Sequence, residues 1–513
     1  MENNIAVELK GIKKHFGPVK ANDGVDLTIR KGEVLAVLGE NGSGKSTLMN
    51  ILSGLYTPDA GQIIIDGREV RFSSPQKAIE KGIGMVHQHV KLVKALPAWE
   101  NITIGSEKKG QLFLRKSAVI ERINAICTRY GLNLDPMKLV GDMAIGERQT
   151  VEIVKAMYRG ADILILDEPT AVLTGKEKLV LFDMVDTLKK GGCGVVLITH
   201  KLHEVTDYCD RVTVLHKGKS LASFDTKDTN PRMLANLMVG REIDISVPYL
   251  DTSAQEKRDV LYIKDLFYRD SKGKRKLDVH DLAVRSGEIL GIAGVADSGQ
   301  KYLCEAITGL HKAEGSVLLN GKEILGMTPA AMNKKGIRIA YVPEDRLGMG
   351  LAAGLSISDN AAIRNYNEAK GPFLDSAKQD AYAEKLVKEY DVSTPGIRVP
   401  IRNLSGGNIQ KVLLGRELDR DAELIIAAYP VRGLDIGASD YVYNKLNEQK
   451  SKGRAVMFIG EDADVLMDIC DRVAVLYSGR IKGILDREHM NKEVLMLMMM
   501  GQTEEEARKN AEN

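Results

Sequence analysis

Aromatic side chains are scarce in this sequence, at 5% of 513 residues, and there is a single Trp. No apolar run approaches the roughly 18–20 residues that a membrane-spanning helix requires. The start, MENNIAVELK, has no apolar stretch of the kind that marks a signal peptide. The chain is therefore not expected to anchor in a bilayer by itself. Cysteines are few and odd in number: Cys127, Cys193, Cys209, Cys304 and Cys470 show no metal-type spacing. They are expected to be reduced, mostly buried thiols of a cytosolic protein. Net charge is nearly absent too, because 72 basic and 70 acidic residues leave no global field to attract nucleic acid or an anionic membrane. Length is plentiful, too much for one core, so two or more domains are expected.

An internal repeat supports that count. DYCDRVTVLHKGK at 207–219 returns as DICDRVAVLYSGR at 468–480, and NPRMLANLMVG at 230–240 returns as NKEVLMLMMMG at 491–501. GQIIIDGREV at 61–70 returns as GSVLLNGKEI at 315–324. Each copy alternates short β-rich apolar runs with helical stretches, the pattern of α/β layers. The expected organisation is a first domain over 1–243, a linker over 244–256, a second domain over 257–500, and a charged, frayed tail over 501–513.

VLAVLGENGSGKSTLMNIL at 34–52 places a β-rich run, a glycine loop and a helix in order. Gly39, Gly44, Lys45 and Ser46 satisfy G-x-x-x-x-G-K-S/T. Glycines let backbone N–H groups wrap a β-phosphate, and the following helix presents its positive end. The candidate nucleotide loop is Gly39, Glu40, Asn41, Gly42, Ser43, Gly44, Lys45, Ser46 and Thr47. Lys45 would reach the β/γ oxygens and Ser46 would ligate Mg2+. ILILDEPTAVLT at 163–174 supplies the rest: Asp167 ends an apolar strand and can hold the metal's water shell. Glu168 can then orient or deprotonate an attacking water.

With three further pieces the chain resembles the ATP-binding cassette (ABC) family. Gln88 in GIGMVHQHV stands where that family's Gln senses Mg2+ and the nucleophilic water. His200 in VVLITHKLHEV matches the family's switch His, which touches the γ-phosphate. LSGGN at 404–408 looks like the ABC signature, and it lies in the second copy. Phe16 in KKHFG lies where the family stacks an aromatic on adenine, although core packing would also account for it. The resemblance covers nearly the whole chain. It implies an α/β fold of two tandem P-loop NTPase (ABC ATPase) domains, each a RecA-like core with a helical subdomain, and ATP with Mg2+ as cofactors. Catalytic roles would fall to Glu168, His200 and Gln88, and metal binding to Ser46, Gln88 and Asp167. Phe16, the loop, and Ser405, Gly406 and Gly407 would contact nucleotide.

The second copy departs from the pattern selectively. Its loop reads GVADSGQK at 294–301, with Gln300 and Lys301 where Lys and Ser/Thr belong. In LIIAAYPVRGLD at 424–435 the two carboxylates become Ala428 and Tyr429, while Glu461 and Glu344 replace the switch His and the Gln. Hydrolysis is not expected there, and weak or structural nucleotide binding on the remaining backbone cradle is left open. Its signature is intact, whereas the first copy has MAIGE at 143–147, with Ala144, Ile145 and Glu147. Ser405 would cap the following helix and, with Gly406 and Gly407, allow close approach to a phosphate. Family members pair head to tail, each ATP held between one domain's loop and the other's signature. The resemblance thus implies one working site, from the first loop and the second signature, and one degenerate site.

Fused twin cassettes of this kind resemble the importers of monosaccharides and nucleosides. MVHQH, AAYPVRGLD and GEDAD look most like the nucleoside branch, with monosaccharide import the alternative. A soluble ribosome-associated twin cassette is a remote alternative, disfavoured by the short linker and the broken site. The implied partners are two non-identical membrane permease subunits and, indirectly, an extracytoplasmic substrate-binding lipoprotein. Neither nucleic acid nor the transported substrate would touch this chain, which would sit peripherally on the cytoplasmic side of the membrane. VKLVKALPAWENITIG, with Trp99, Leu96 and Pro97, is expected either to receive a permease or to fill the helical subdomain's core.

Overall fold

The computed structural model describes residues 4–87, 91–105, 115–170, 173, 175–240, 249–252, 254–270, 272–295, 298–364 and 375–511. The chain divides into two compact units, Met1–Ile245 and Ser246–Asn513.

The strands of the first unit are β1 (Ile5–Phe16), β2 (Val19–Arg30), β3 (Val34–Leu38), β4 (Ala60–Ile65), β5 (Arg68–Val70), β6 (Ile83–Val86), β7 (Ile163–Asp167), β8 (Gly194–Thr199), β9 (Arg211–His216) and β10 (Lys219–Asp225). They build an antiparallel sheet in the order β2-β1-β4-β5 and a mainly parallel sheet in the order β10-β9-β3-β8-β7-β6. Parallel strands covered on both faces read as unbroken apolar runs. VLAVL of β3 and GVVLIT of β8 are buried at every residue for that reason. At the antiparallel edge, β10 alternates exposed with half-buried residues. Leu9, Ile29, Val37, Leu48, Ile51 and Ile165 form the core that joins the two sheets to the helix Lys45–Leu52. A second cluster joins the helices Ala98–Thr103, Lys116–Arg129 and Ile145–Tyr158 around Ile102, Ile123, Val151 and Val154. Trp99 is half-buried against it, which places its ring in the helical subdomain's packing, with the indole N–H buried and without a partner among the described residues.

The second unit repeats the plan with β11 (Asp259–Arg269), β12 (Arg275–Arg285), β13 (Ile289–Ala293), β14 (Glu314–Leu319), β15 (Lys322–Glu323), β16 (Ile339–Val342), β17 (Leu424–Ala428), β18 (Ala455–Gly460), β19 (Arg472–Tyr477) and β20 (Arg480–Asp486). Its sheets run β12-β11-β14-β15 and β16-β17-β18-β13-β19-β20, the same two topologies. All five cysteines are buried and unpaired. Among the described residues no helix is long and apolar enough to cross a membrane.

One expectation needs correction. The tail over 501–513 is not frayed through its described part: Glu504–Ala511 is a helix. Thr503 caps it against Glu506, Arg508 pairs with Glu504 and Lys509 with Glu505, and Ala507 is fully buried in the second unit's core. The described part of 244–256 is bonded to the second unit. Tyr249 hydrogen-bonds Asp471 at 2.8 Å and lies between the Lys450 ammonium and the Arg487 guanidinium. Thr252 is buried and donates to Gly287 O at 2.5 Å.

Candidate active site

Strand β3 runs into Gly39, where a Cβ would collide with the Leu215 carbonyl and with Ser43 Oγ. Gly44 stands at φ 98° before the helix Lys45–Leu52, a backbone region that side chains rarely adopt. Its carbonyl accepts from Asn22 Nδ2 at 3.1 Å. Between them, Gly42 faces open space, Asn41 is exposed and Ser43 Oγ is buried without a partner among the described residues. Lys45 is buried, and its Nζ donates to Gly39 O at 2.7 Å and Glu40 O at 2.8 Å. Ser46 is exposed and Thr47 half-buried in the first helical turn.

Strand β7 brings Asp167 to this loop. Burial pushes its carboxyl up to about 6 and the Glu168 charge adds to the rise, while the Lys45 charge and a hydrogen bond from Ser46 oppose it. Glu168 follows at φ 46°, and its N–H donates to Ile198 O at 3.0 Å. That left-handed corner turns the chain towards the end of β8, where His200 Nδ1 lies 3.1 Å from Glu168 Oε1. This hydrogen bond is the leading reason that the Glu168 carboxyl is held below its ordinary value. Lys45, Ser46, Asp167, Glu168 and His200 are thus linked through direct contacts or through-space charge, while Gln88 lies outside the described residues.

A supporting network was not anticipated from the sequence. Glu204 is buried and accepts from Thr170 Oγ1 at 2.5 Å and from Thr199 Oγ1 at 2.9 Å. Lys201 Nζ lies 3.3 Å from the same carboxylate and donates to Thr170 Oγ1 at 3.0 Å. Thr170 follows Glu168 by two residues and Thr199 precedes His200, so Glu204 ties together the two corners that carry them. Phe16 is 44% exposed at the end of β1, its ring 5.4 Å from Tyr56 in an edge contact. Asp59 fixes that end by accepting from Lys14 Nζ at 2.9 Å and from His15 N at 2.7 Å.

In the second unit a Cβ at Gly294 would collide with the Leu476 carbonyl, and Gly299 stands at φ 117° before the helix Gln300–Ile307. Gln300 is buried where Lys45 would be, its Nε2 donating to Val295 O at 3.2 Å. Ser405 caps the helix Gly406–Leu418, its Oγ accepting from Asn408 N at 3.4 Å and from Asn408 Nδ2 at 2.9 Å. Ser405 and Gly406 are exposed, and Gly407 is half-buried beside Ala438. In the first unit's counterpart Glu147 accepts from Ala144 N at 2.7 Å and pairs with Lys138 at 2.7 Å, beside an Ile145 that is 46% exposed.

The family model described as ABC transporter matches residues 22–171 and 277–430. The chain belongs to the ABC transporter family. As a member it is an ATP-binding subunit that couples ATP hydrolysis to transport. The nucleoside import ATP-binding protein NupA of Lactococcus lactis subsp. cremoris is 42% identical over 98% of this chain and 99% of its own length. The guanosine import ATP-binding protein NupO of Bacillus subtilis is 43% identical over the same shares, 98% and 99%. The ribose import ATP-binding protein RbsA of Clostridium perfringens is 38% identical, again over 98% of this chain and 99% of that one.

Proposed function

We propose that this chain powers nucleoside uptake as the ATPase subunit of an importer, turning over ATP at one site built from the first cassette's loop and the second cassette's signature. The observation that carries the one-site reading is the contrast between the cassettes. Lys45, Ser46, Asp167, Glu168 and His200 form a connected constellation in the first. The second has Gln300, Ala428, Tyr429 and Glu461 in those roles, yet keeps Ser405, Gly406 and Gly407.

The first cassette's residues fit Mg2+ with ATP. Gly42 opens onto space, the buried Ser43 hydroxyl lacks a partner among the described residues, and Ser46 already meets Asp167. Ser46 and Asp167, with Gln88 from the resemblance, would hold the metal, which supplies charge neutralisation on the β/γ-phosphate oxygens. Lys45 exchanges neutral carbonyls for anionic oxygens, a stronger hydrogen bond. Glu168, kept ionised, accepts a proton from the attacking water as its oxygen bonds to the γ-phosphorus and the bond to the ADP oxygen breaks. His200 holds the Glu168 carboxylate and touches the γ-phosphate, Phe16 stacks on adenine, and the Ser405 signature closes on the triphosphate.

Nucleoside is preferred over monosaccharide because the nucleoside and guanosine import relatives are 42% and 43% identical, against 38% for the ribose import relative. Separate permease subunits, two and non-identical, would seat the chain on the cytoplasmic face of the membrane. They would receive substrate from a binding lipoprotein that this chain never touches. The test compares permease-coupled ATPase activity in Ser405→Arg and Ala144→Arg. Ser405→Arg should abolish turnover, and Ala144→Arg should leave most of it. Equal losses would overturn the one-site reading.

A further inference from the structure

The corner after β17 keeps the backbone of the corner after β7. Tyr429 stands at φ 47° with its N–H on Ile459 O at 3.0 Å, as Glu168 stands at 46° with its N–H on Ile198 O at 3.0 Å. Around this unchanged corner the side chains bind one another. Arg432, where the first cassette has Ala171, sends its guanidinium to Glu344 in a direct ion pair. The same NH1 lies 4.0 Å from Glu461, and the guanidinium carbon is 5.8 Å from the Tyr429 ring. Arg346 in turn donates to the Arg432 carbonyl. Glu344, Tyr429 and Glu461 are the residues that align with Gln88, Glu168 and His200. One arginine therefore gathers all three replacements.

The charges are mutually dependent. Two carboxylates in place of a neutral amide and an imidazole would repel one another and any triphosphate, and the guanidinium between them offsets both. A guanidinium held by carboxylates is not available to a phosphate, which it would otherwise bind in a fork. Gln300 brings no cation to replace Lys45, since its amide is turned onto Val295 O.

We propose that Arg432, Glu344 and Glu461 form a self-contained ion cluster in the place of a nucleotide's terminal phosphate and metal, so that the second cassette takes no Mg·ATP. The chain then binds one nucleotide, not two. This rests on the one-site reading and goes beyond it, since that reading requires only that the second site not hydrolyse.

The test is ATP-binding stoichiometry on the full chain, by equilibrium dialysis with labelled ATP, with and without Mg2+. Wild type should bind one nucleotide per chain and Lys45→Ala none. Glu344→Gln with Glu461→Gln releases the guanidinium, and should raise the stoichiometry to two, the second nucleotide being held without Mg2+. Adding Arg432→Ala should return it to one. Two nucleotides on wild type would overturn the proposal without any variant, whatever the folding of the others. A folded double variant that stays at one, judged by an unchanged melting temperature, would overturn the cluster as the cause. Two nucleotides on wild type with unequal ATPase losses in Ser405→Arg and Ala144→Arg would sink only this inference. Equal losses would sink the one-site reading itself.

Discussion

The corners after β7 and β17 share one backbone and hold it by opposite means. In the first cassette Thr170, Thr199 and Lys201 converge on the buried Glu204. In the second those positions are Val431, Gly460, Asp462 and Val465, and the two valines pack against the apolar core. Removing one member of a buried polar network leaves the others unsatisfied, at about 1–3 kcal/mol for each, whereas exchanging all of them for apolar groups is nearly neutral. Three of the four positions lose their polar side chain together, and Asp462, at the fourth, caps the helix Ala463–Ile469 instead. The first version fixes Glu168 and His200 for chemistry, and the second keeps the corner's backbone without that buried network.

The sharpest way to break this comparison is at Glu168. Glu168→Gln should lower ATP turnover by about 100-fold or more, because it removes the water's proton acceptor. ATP affinity should remain within a few-fold in a nucleotide titration. Tyr429→Glu should add no activity, since Ala428, Gln300 and Glu461 remain. Turnover of the Gln variant close to wild type would remove Glu168 from its role.

A stability effect separates two copies of one ion pair. Lys450–Asp471 is 0% and 7% exposed, and Asp471 also accepts from Tyr249 and from Ile289 N. Lys189–Asp210 is 31% and 41% exposed. Lys450→Met should destabilise the second unit by about 3–5 kcal/mol, by stranding a buried carboxylate. Lys189→Met should cost the first unit under about 1 kcal/mol. Denaturant melts of the two variants would show comparable losses if burial were not the cause.

Glu204→Val imports one apolar residue without its companions and should cost the first unit about 2–4 kcal/mol. Trp99, the single Trp, lies in that unit and reports its unfolding by fluorescence. A loss below about 1 kcal/mol would mean that the hydroxyls find other partners.

The smallest effect sharpens the contrast between signatures. Ala144→Ser restores a capping hydroxyl and should stabilise the helix Ile145–Tyr158 by about 0.5–1 kcal/mol. ATP turnover should not change, because Ile145 and Glu147 remain. A gain in activity would show that this signature contributes to chemistry.

The glycine loop and the two strand-end carboxylates were legible in the sequence because each residue type there answers a demand of phosphate or metal, and the repeat exposed their loss in the second copy. The Glu204 network was not. A glutamate in the helix Leu202–Tyr208 reads as a solvated charge until the fold brings Thr170 and Thr199 to it. The strap of Tyr56 and Asp59 under Phe16 was hidden for the same reason, its partners lying 40 or more positions away in the chain. The closing helix was misjudged from its charge. Its three leading acids are paired or capping, and the decisive residue, Ala507, is small and inconspicuous.

Tyr249 reaches its partner Asp471 across 222 positions of sequence. During synthesis it leaves the ribosome long before Lys450, Asp471 and Arg487 exist, and contacts of such separation close late. The second unit therefore cannot complete its fold until nearly all of it has been made, even though its first clasping residue is already present. The same dependence governs excision. A second unit begun at 257, where composition suggests a boundary, would lack Tyr249 and Thr252 and leave the Lys450–Asp471 pair uncovered. One begun before Tyr249 keeps the cover, so the junction is the opening piece of the downstream fold rather than a spacer.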